Sequence, residues 1–134
     1  MEEYYVGGAK PKRIGAEAMI RWLVGLFLVA HGFIHVAVWL PPYRGEAPFN
    51  PSRSWLLGAL GVNAGAMRSV AIVLALVAGI GFLLGGLGWI GGQGWGRSLA
   101  FLSAIASLLL TLLYFNLWLS FVLLINAAIL YSLR

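Results

Sequence analysis

Residues 98–133 contain no Asp, Glu, Lys or Arg, and this run constrains the chain more than anything else in it. As one helix it would reach about 54 Å at the usual rise, against a bilayer hydrocarbon core of about 30 Å. It therefore folds back on itself. The expected break is Tyr114-Phe115-Asn116-Leu117-Trp118 at its midpoint, leaving two halves near the lower length limit for a span. The alternative is one steeply tilted span followed by an interfacial C-terminal helix.

Two further uncharged stretches precede it. Residues 22–43 carry no charge and end at Pro41-Pro42, which cannot continue a helix. Residues 68–92 are apolar after Arg68 and lead into Gln93-Gly94-Trp95-Gly96, read as a tight polar turn. Between these stretches, Asn50-Pro51-Ser52 has the residues of a helix start. The segment 54–66 is short, apolar and Gly-rich, and reads as an interfacial or re-entrant helix. The expected fold class is thus all-α: a polytopic membrane protein with a four-transmembrane-helix bundle and a short interfacial helix between the first two spans. Spans are expected near 19–40, 68–91, 97–115 and 118–133. Residues 1–18 form a cytoplasmic N-terminal tail, and 19–134 a single transmembrane domain. The acids Glu2, Glu3 and Glu17 and the length of the first apolar stretch argue against a cleaved signal peptide. Tyr4, Tyr5 and Val6 in the tail are candidates for packing against a partner.

Composition supports the bilayer as solvent. Hydrophobic residues make up 61% of the chain and charged residues 10%, too few to cover a surface in water. The net charge of +5 comes from bases scattered singly, without a basic helix face or aromatic platform, so no nucleic-acid partner is expected. Cysteine is absent, which removes disulfides and thiolate metal sites.

Charge placement orients the bundle. With four spans, Lys10, Lys12, Arg13, Arg21, Arg97 and Arg134 share one side, and Arg44, Arg53 and Arg68 the other. The positive-inside rule then puts both termini in the cytoplasm of a multi-pass cell-membrane protein. Arg21, Trp22, Trp89 and Trp95 fall at the inner interface and Trp39, Trp55 and Trp118 at the outer one, where an amphipathic ring is best placed.

Few polar groups lie at membrane depth. His31-Gly32-Phe33-Ile34-His35 sets two imidazoles one turn apart on one face of the first span, with Trp39 continuing the stripe. A neutral imidazole there can be satisfied by Asn116, Asn126, Ser103, Ser107 or a backbone carbonyl. The functional readings are cofactor binding by His31 and His35 (haem, a chlorophyll-type pigment or a quinone) or proton handling. One helix cannot place both rings on opposite faces of one haem, and a single metal ion would need further ligands; the nearest downstream acid, Glu46, lies in a loop. Gly32 leaves room for a neighbouring helix or a flat cofactor. Gly81/Gly85, Gly88/Gly92 and the series Ser103, Ser107, Thr111 are expected to pack helices closely, within the chain or in a homo-oligomer or partner seam. No carboxylate at depth could orient an imidazole for hydrolysis, so an enzyme is the less favoured reading, and ion-coupled transport lacks its usual charged groups.

The stretch Arg21-Trp22-Leu23-Val24-Gly25-Leu26-Phe27-Leu28-Val29-Ala30-His31-Gly32 resembles the first span of the DoxX-like family. Those proteins are small four-helix bacterial and archaeal membrane proteins, some linked to quinone-coupled thiosulfate oxidation. The resemblance implies the four-helix architecture. The acidic residue expected in that family's second span has no counterpart in residues 68–92, and no redox role is carried over. The expectation is a non-catalytic subunit or accessory protein of a larger membrane complex, one of electron transfer among the candidates. The alternative is a small redox or pigment-binding protein that uses the two histidines.

Overall fold

The computed structural model describes residues 15–42 and 48–133. The N-terminal tail with Lys10, Lys12 and Arg13, the loop residues Tyr43, Arg44 and Glu46, and Arg134 lie outside them. The elements are α1 (Ala16–Trp39), α2 (Trp55–Ala59), α3 (Ala64–Ile90), α4 (Gly94–Leu113), a 3-10 turn (Leu117–Leu119) and α5 (Ser120–Leu133). The fold is all-α, as the charge-free runs predict. The helices α1, α3 and α4 are each long and apolar enough to cross a membrane, and 117–133 forms a shorter apolar helical segment. That segment spans about 27 Å, counting its first turn at the 3-10 rise.

Bundle order follows from glycine. Gly25 of α1 faces Gly86 of α3, and Gly32 faces Gly79, the fixed offset of an antiparallel pair. A Cβ on Gly32 would sit 2.6 Å from the Gly79 carbonyl oxygen, and one on Gly86 2.6 Å from that of Gly25. The other side of α3 meets α4 in the same way: Gly81 lies against Ser103, Gly85 against Ala100 and Gly88 against Gly96. α3 is therefore the central helix, bearing small residues on two faces so that both neighbours approach backbone to backbone. α5 packs on α4, while α1 and α5 scarcely approach each other. The bundle is closed along three seams and open along the fourth.

Several helix ends are satisfied internally, as a bilayer favours. Two Schellman motifs use glycine at positive φ. At the end of α3, Gly92 has φ 68°, its N–H donates to Trp89 O at 3.0 Å, and Gln93 N–H donates to Gly88 O at 2.8 Å. Gly61 (φ 77°) ends α2 in the same manner. The carbonyls at the end of α4 are taken by Ser54 Oγ, 2.6 Å from Leu113 O, and by Trp55 Nε1, 2.8 Å from Leu112 O. At the opposite end Arg97 Nε donates to Leu133 O at 2.8 Å. Outward faces are apolar all round the bundle, with Phe33, Val73, Leu102 and Leu124 all more than half exposed. That distribution marks a protein embedded in lipid.

Three boundaries differ from expectation. Residues 54–66 do not form one interfacial helix: the helix there is the five-residue α2, stopped by Gly61, and Asn63 caps α3 by accepting from Ala66 N at 2.9 Å. Asn50-Pro51-Ser52 is an Asx turn, Asn50 Oδ1 accepting from Ser52 N at 2.9 Å; the helix cap is Ser54. The turn after α3 falls at residues 91–93, so Gly94 to Gly96 already belong to α4. The break in the long C-terminal run lies where expected, and Asn116 fixes it by accepting from Trp118 N at 3.0 Å and donating to Pro48 O at 2.7 Å.

Candidate functional site

Helical spacing places His31 and His35 on the face of α1 that turns inward, and both are buried, at 5% and 4% exposure. The close approach at Gly32 brings α3 in beside them, so Phe82 sets its ring edge against His31 at a centroid distance of 4.9 Å. Phe27, one turn earlier on α1, stacks on His31 at 5.8 Å and 10°. The two imidazoles meet edge to face at 4.8 Å. Gly32 thus makes room for a helix rather than a flat cofactor.

Hydrogen bonds determine the state of His35. Its Nδ1 lies 2.9 Å from the His31 carbonyl oxygen, an acceptor, so Nδ1 carries a proton. Its Nε2 is 2.6 Å from Ser107 Oγ, which also accepts from Asn126 Nδ2 at 2.6 Å. The Ser107 hydroxyl hence donates its single proton to His35 Nε2, which fixes a neutral ring protonated at Nδ1. The chain Asn126–Ser107–His35–His31 carbonyl joins α5, α4 and α1 at the centre of the bundle.

His31 is different. Its imidazole interacts with the neighbouring Asn126 side chain, yet His31 Nε2 and Asn126 Oδ1 both lack a hydrogen-bond partner of ordinary geometry. A cavity of about 80 Å³ lies beside His31 and His35, lined also by Thr111, Trp39, Leu110 and Leu119 among others.

The serine series divides by role. Ser107 alone reaches across helices. Ser103 Oγ donates back to Leu99 O at 2.7 Å, and Thr111 Oγ1 bonds within α4 to the Ser107 and Leu108 carbonyls. Of the four glycines, Gly81, Gly85 and Gly88 form the α3–α4 seam, whereas Gly92 makes the turn and packs no helix. Gly25, Gly79 and Gly86 form a second seam that the four-residue pattern overlooks, because they recur at seven. Trp22, Trp55, Trp95 and Trp118 are exposed, and Trp89 is partly buried. Trp39 is not lipid-facing: it is 4% exposed and packs edge to face on Tyr114 and Phe49. Arg21 and Arg97 flank a cavity of about 390 Å³ at the end of the bundle where α1 and α4 begin.

The histidine site does not fit a tetrapyrrole. Both nitrogens of His35 are engaged, and the adjoining cavity of about 80 Å³ is well below the roughly 300 Å³ at which cofactor pockets begin. Among the described residues no three His, Cys, Asp or Glu side chains converge on a metal position. What the arrangement can do is hold helices in register and place one imidazole nitrogen and one amide oxygen, both unpaired, at membrane depth. No family model, no curated protein and no solved structure matches the chain.

Proposed function

We propose that this protein is a non-catalytic integral subunit or accessory protein of a larger assembly in the cell membrane, with both termini cytoplasmic. The open α1–α5 seam carries the reading. Val24, Phe27 and Leu28 of α1 face Ile125, Ala128 and Ile129 of α5 across an apolar groove of about 280 Å³. Helices of one bundle close such seams with small residues, as α3 does twice here; a seam left wide at one side suits a helix of a second chain. Its resemblance to DoxX-like proteins over residues 21–32 favours the same reading, that of a small four-helix membrane protein. Engagement of His35 and the small adjoining cavity weigh against a pigment carrier.

Phe27→Cys and Ala128→Cys, introduced singly into this cysteine-free chain, test the reading by cross-linking in native membranes. Adducts to another chain or a second copy are the expected result. A protein that gives none, and that runs as a monomer after purification in mild detergent, overturns it.

A further inference from the structure

Charged side chains that border two of the apolar spans come together at one end of the bundle. α1 carries no charge after Arg21 and α4 none after Arg97, so each arginine stands where its helix enters the hydrocarbon. Trp22 and Trp95, both exposed, ring the same end, at the depth where indole rings gather. The two arginines line one cavity of about 390 Å³, together with Trp89 of α3 and Gln93 of the turn before α4. That volume falls in the range of small-molecule sites. Arg97 is held by its Nε, which donates to Leu133 O at 2.8 Å. Arg21 reaches across from α1 to the turn after α3, where a Cβ on Gly92 would stand 3.3 Å from its Nη1. Among the described residues no carboxylate pairs with Arg21. Glu17, the acid that lines the cavity, lies one turn farther out on α1. Two arginines and one glutamate leave the cavity with an excess of one positive charge.

We propose that this cavity binds the headgroup of an anionic phospholipid, its phosphate diester held by Arg21 and Arg97. Guanidinium N–H groups match phosphate oxygens in direction and charge, and basic pockets between helices at the membrane surface take such headgroups. A phosphate diester carries one negative charge, which cancels the excess in the cavity. Glu17, farther from the hydrocarbon, accepts from a hydroxyl on the outer part of the headgroup. Ile20 and Trp89 supply the apolar side of the cavity, against which the lipid glycerol and the first methylenes of its chains pack. Free phosphate shares the chemistry of the two arginines but would leave that apolar side bare. α5 lends no residue to the cavity, so a lipid there leaves the α1–α5 groove clear. The inference goes beyond the subunit reading and does not depend on it.

The test is native mass spectrometry of the full chain in mild detergent, offered phosphatidylglycerol and phosphatidylcholine of the same acyl chains in equal amounts. The expected result is a phosphatidylglycerol retained in preference to phosphatidylcholine. Arg21→Gln, which removes no hydrogen bond within the described residues, should weaken that retention about tenfold, the size of one hydrogen bond to a charged group. Arg97→Gln should weaken it as well. Arg68→Gln, at the other end of α3, should leave it unchanged. Inorganic phosphate added in large excess should not displace the lipid. Equal retention of the two lipids by the wild type overturns the proposal, and that comparison needs no variant to fold. Equal losses in Arg21→Gln and Arg68→Gln overturn it too, since they would mean that charge anywhere on the protein suffices. Displacement by inorganic phosphate assigns the cavity to the free ion and overturns the lipid assignment.

Discussion

At the scale of single residues, Ser107 is the pivot. Its hydroxyl satisfies His35 Nε2 and Asn126 Nδ2 together, so Ser107→Ala leaves two buried groups without a partner. Each costs about 1–3 kcal/mol in protein data. Ser107→Ala should therefore lower stability by several times the effect of Ser103→Ala, whose hydroxyl only back-bonds to Leu99 O. Denaturation in mixed detergent micelles measures both. Equal losses would mean that the inter-helix chain adds nothing beyond helix packing. His35→Gln should be far milder than His35→Leu, since an amide can reproduce one of the two imidazole bonds. A leucine leaves Ser107 and Asn126 to be satisfied by each other alone. The same melt decides that ordering.

At the scale of elements, the seven-residue glycine pairs hold α1 on α3. Gly86→Ala puts a Cβ 2.6 Å from the Gly25 carbonyl oxygen, backbone that cannot swing aside, so α1 must move outward. Overpacking of that kind costs about 1–3 kcal/mol. Gly94→Ala meets nothing within 4 Å and should be close to neutral. Gly61→Ala also meets open space, yet its φ of 77° belongs to the left-handed region. It should cost about 1–2 kcal/mol through the backbone alone. The three variants separate steric crowding, backbone strain and no effect, and comparable unfolding midpoints for all three would refute the assignment.

For the molecule as a whole, the turn at residues 91–93 and the loops at 48–63 and 114–116 lie at opposite ends of the bundle. On the proposed orientation, Gln93→Cys should resist a membrane-impermeant maleimide on intact cells and react once the membrane is opened. Ser52→Cys should react from outside. The reverse pattern inverts the topology.

Much of this was legible in the chain itself. Hydrophobic runs free of charge, measured against the bilayer thickness, determine the four longer apolar helical segments and where the long C-terminal run breaks, because a single apolar run of about 20 residues satisfies its own backbone groups in hydrocarbon only as a helix. Spacing alone also puts His31 and His35 on one face. Boundaries were less legible wherever glycine, rather than proline, set them, since a Schellman turn at Gly61 or Gly92 depends on how the next helix leaves. Spacing in one helix likewise cannot say what stands opposite. Only the packed bundle decided that Gly32 meets Gly79, that Trp39 turns inward to Tyr114, and that Ser107 rather than Ser103 or Thr111 reaches the histidine. Only that packing set the His31 imidazole against the Asn126 side chain while leaving His31 Nε2 and Asn126 Oδ1 without a hydrogen bond of ordinary geometry. The partner of a buried polar group is chosen by whichever residue of another helix arrives within hydrogen-bond distance, and that is a property of the assembled bundle.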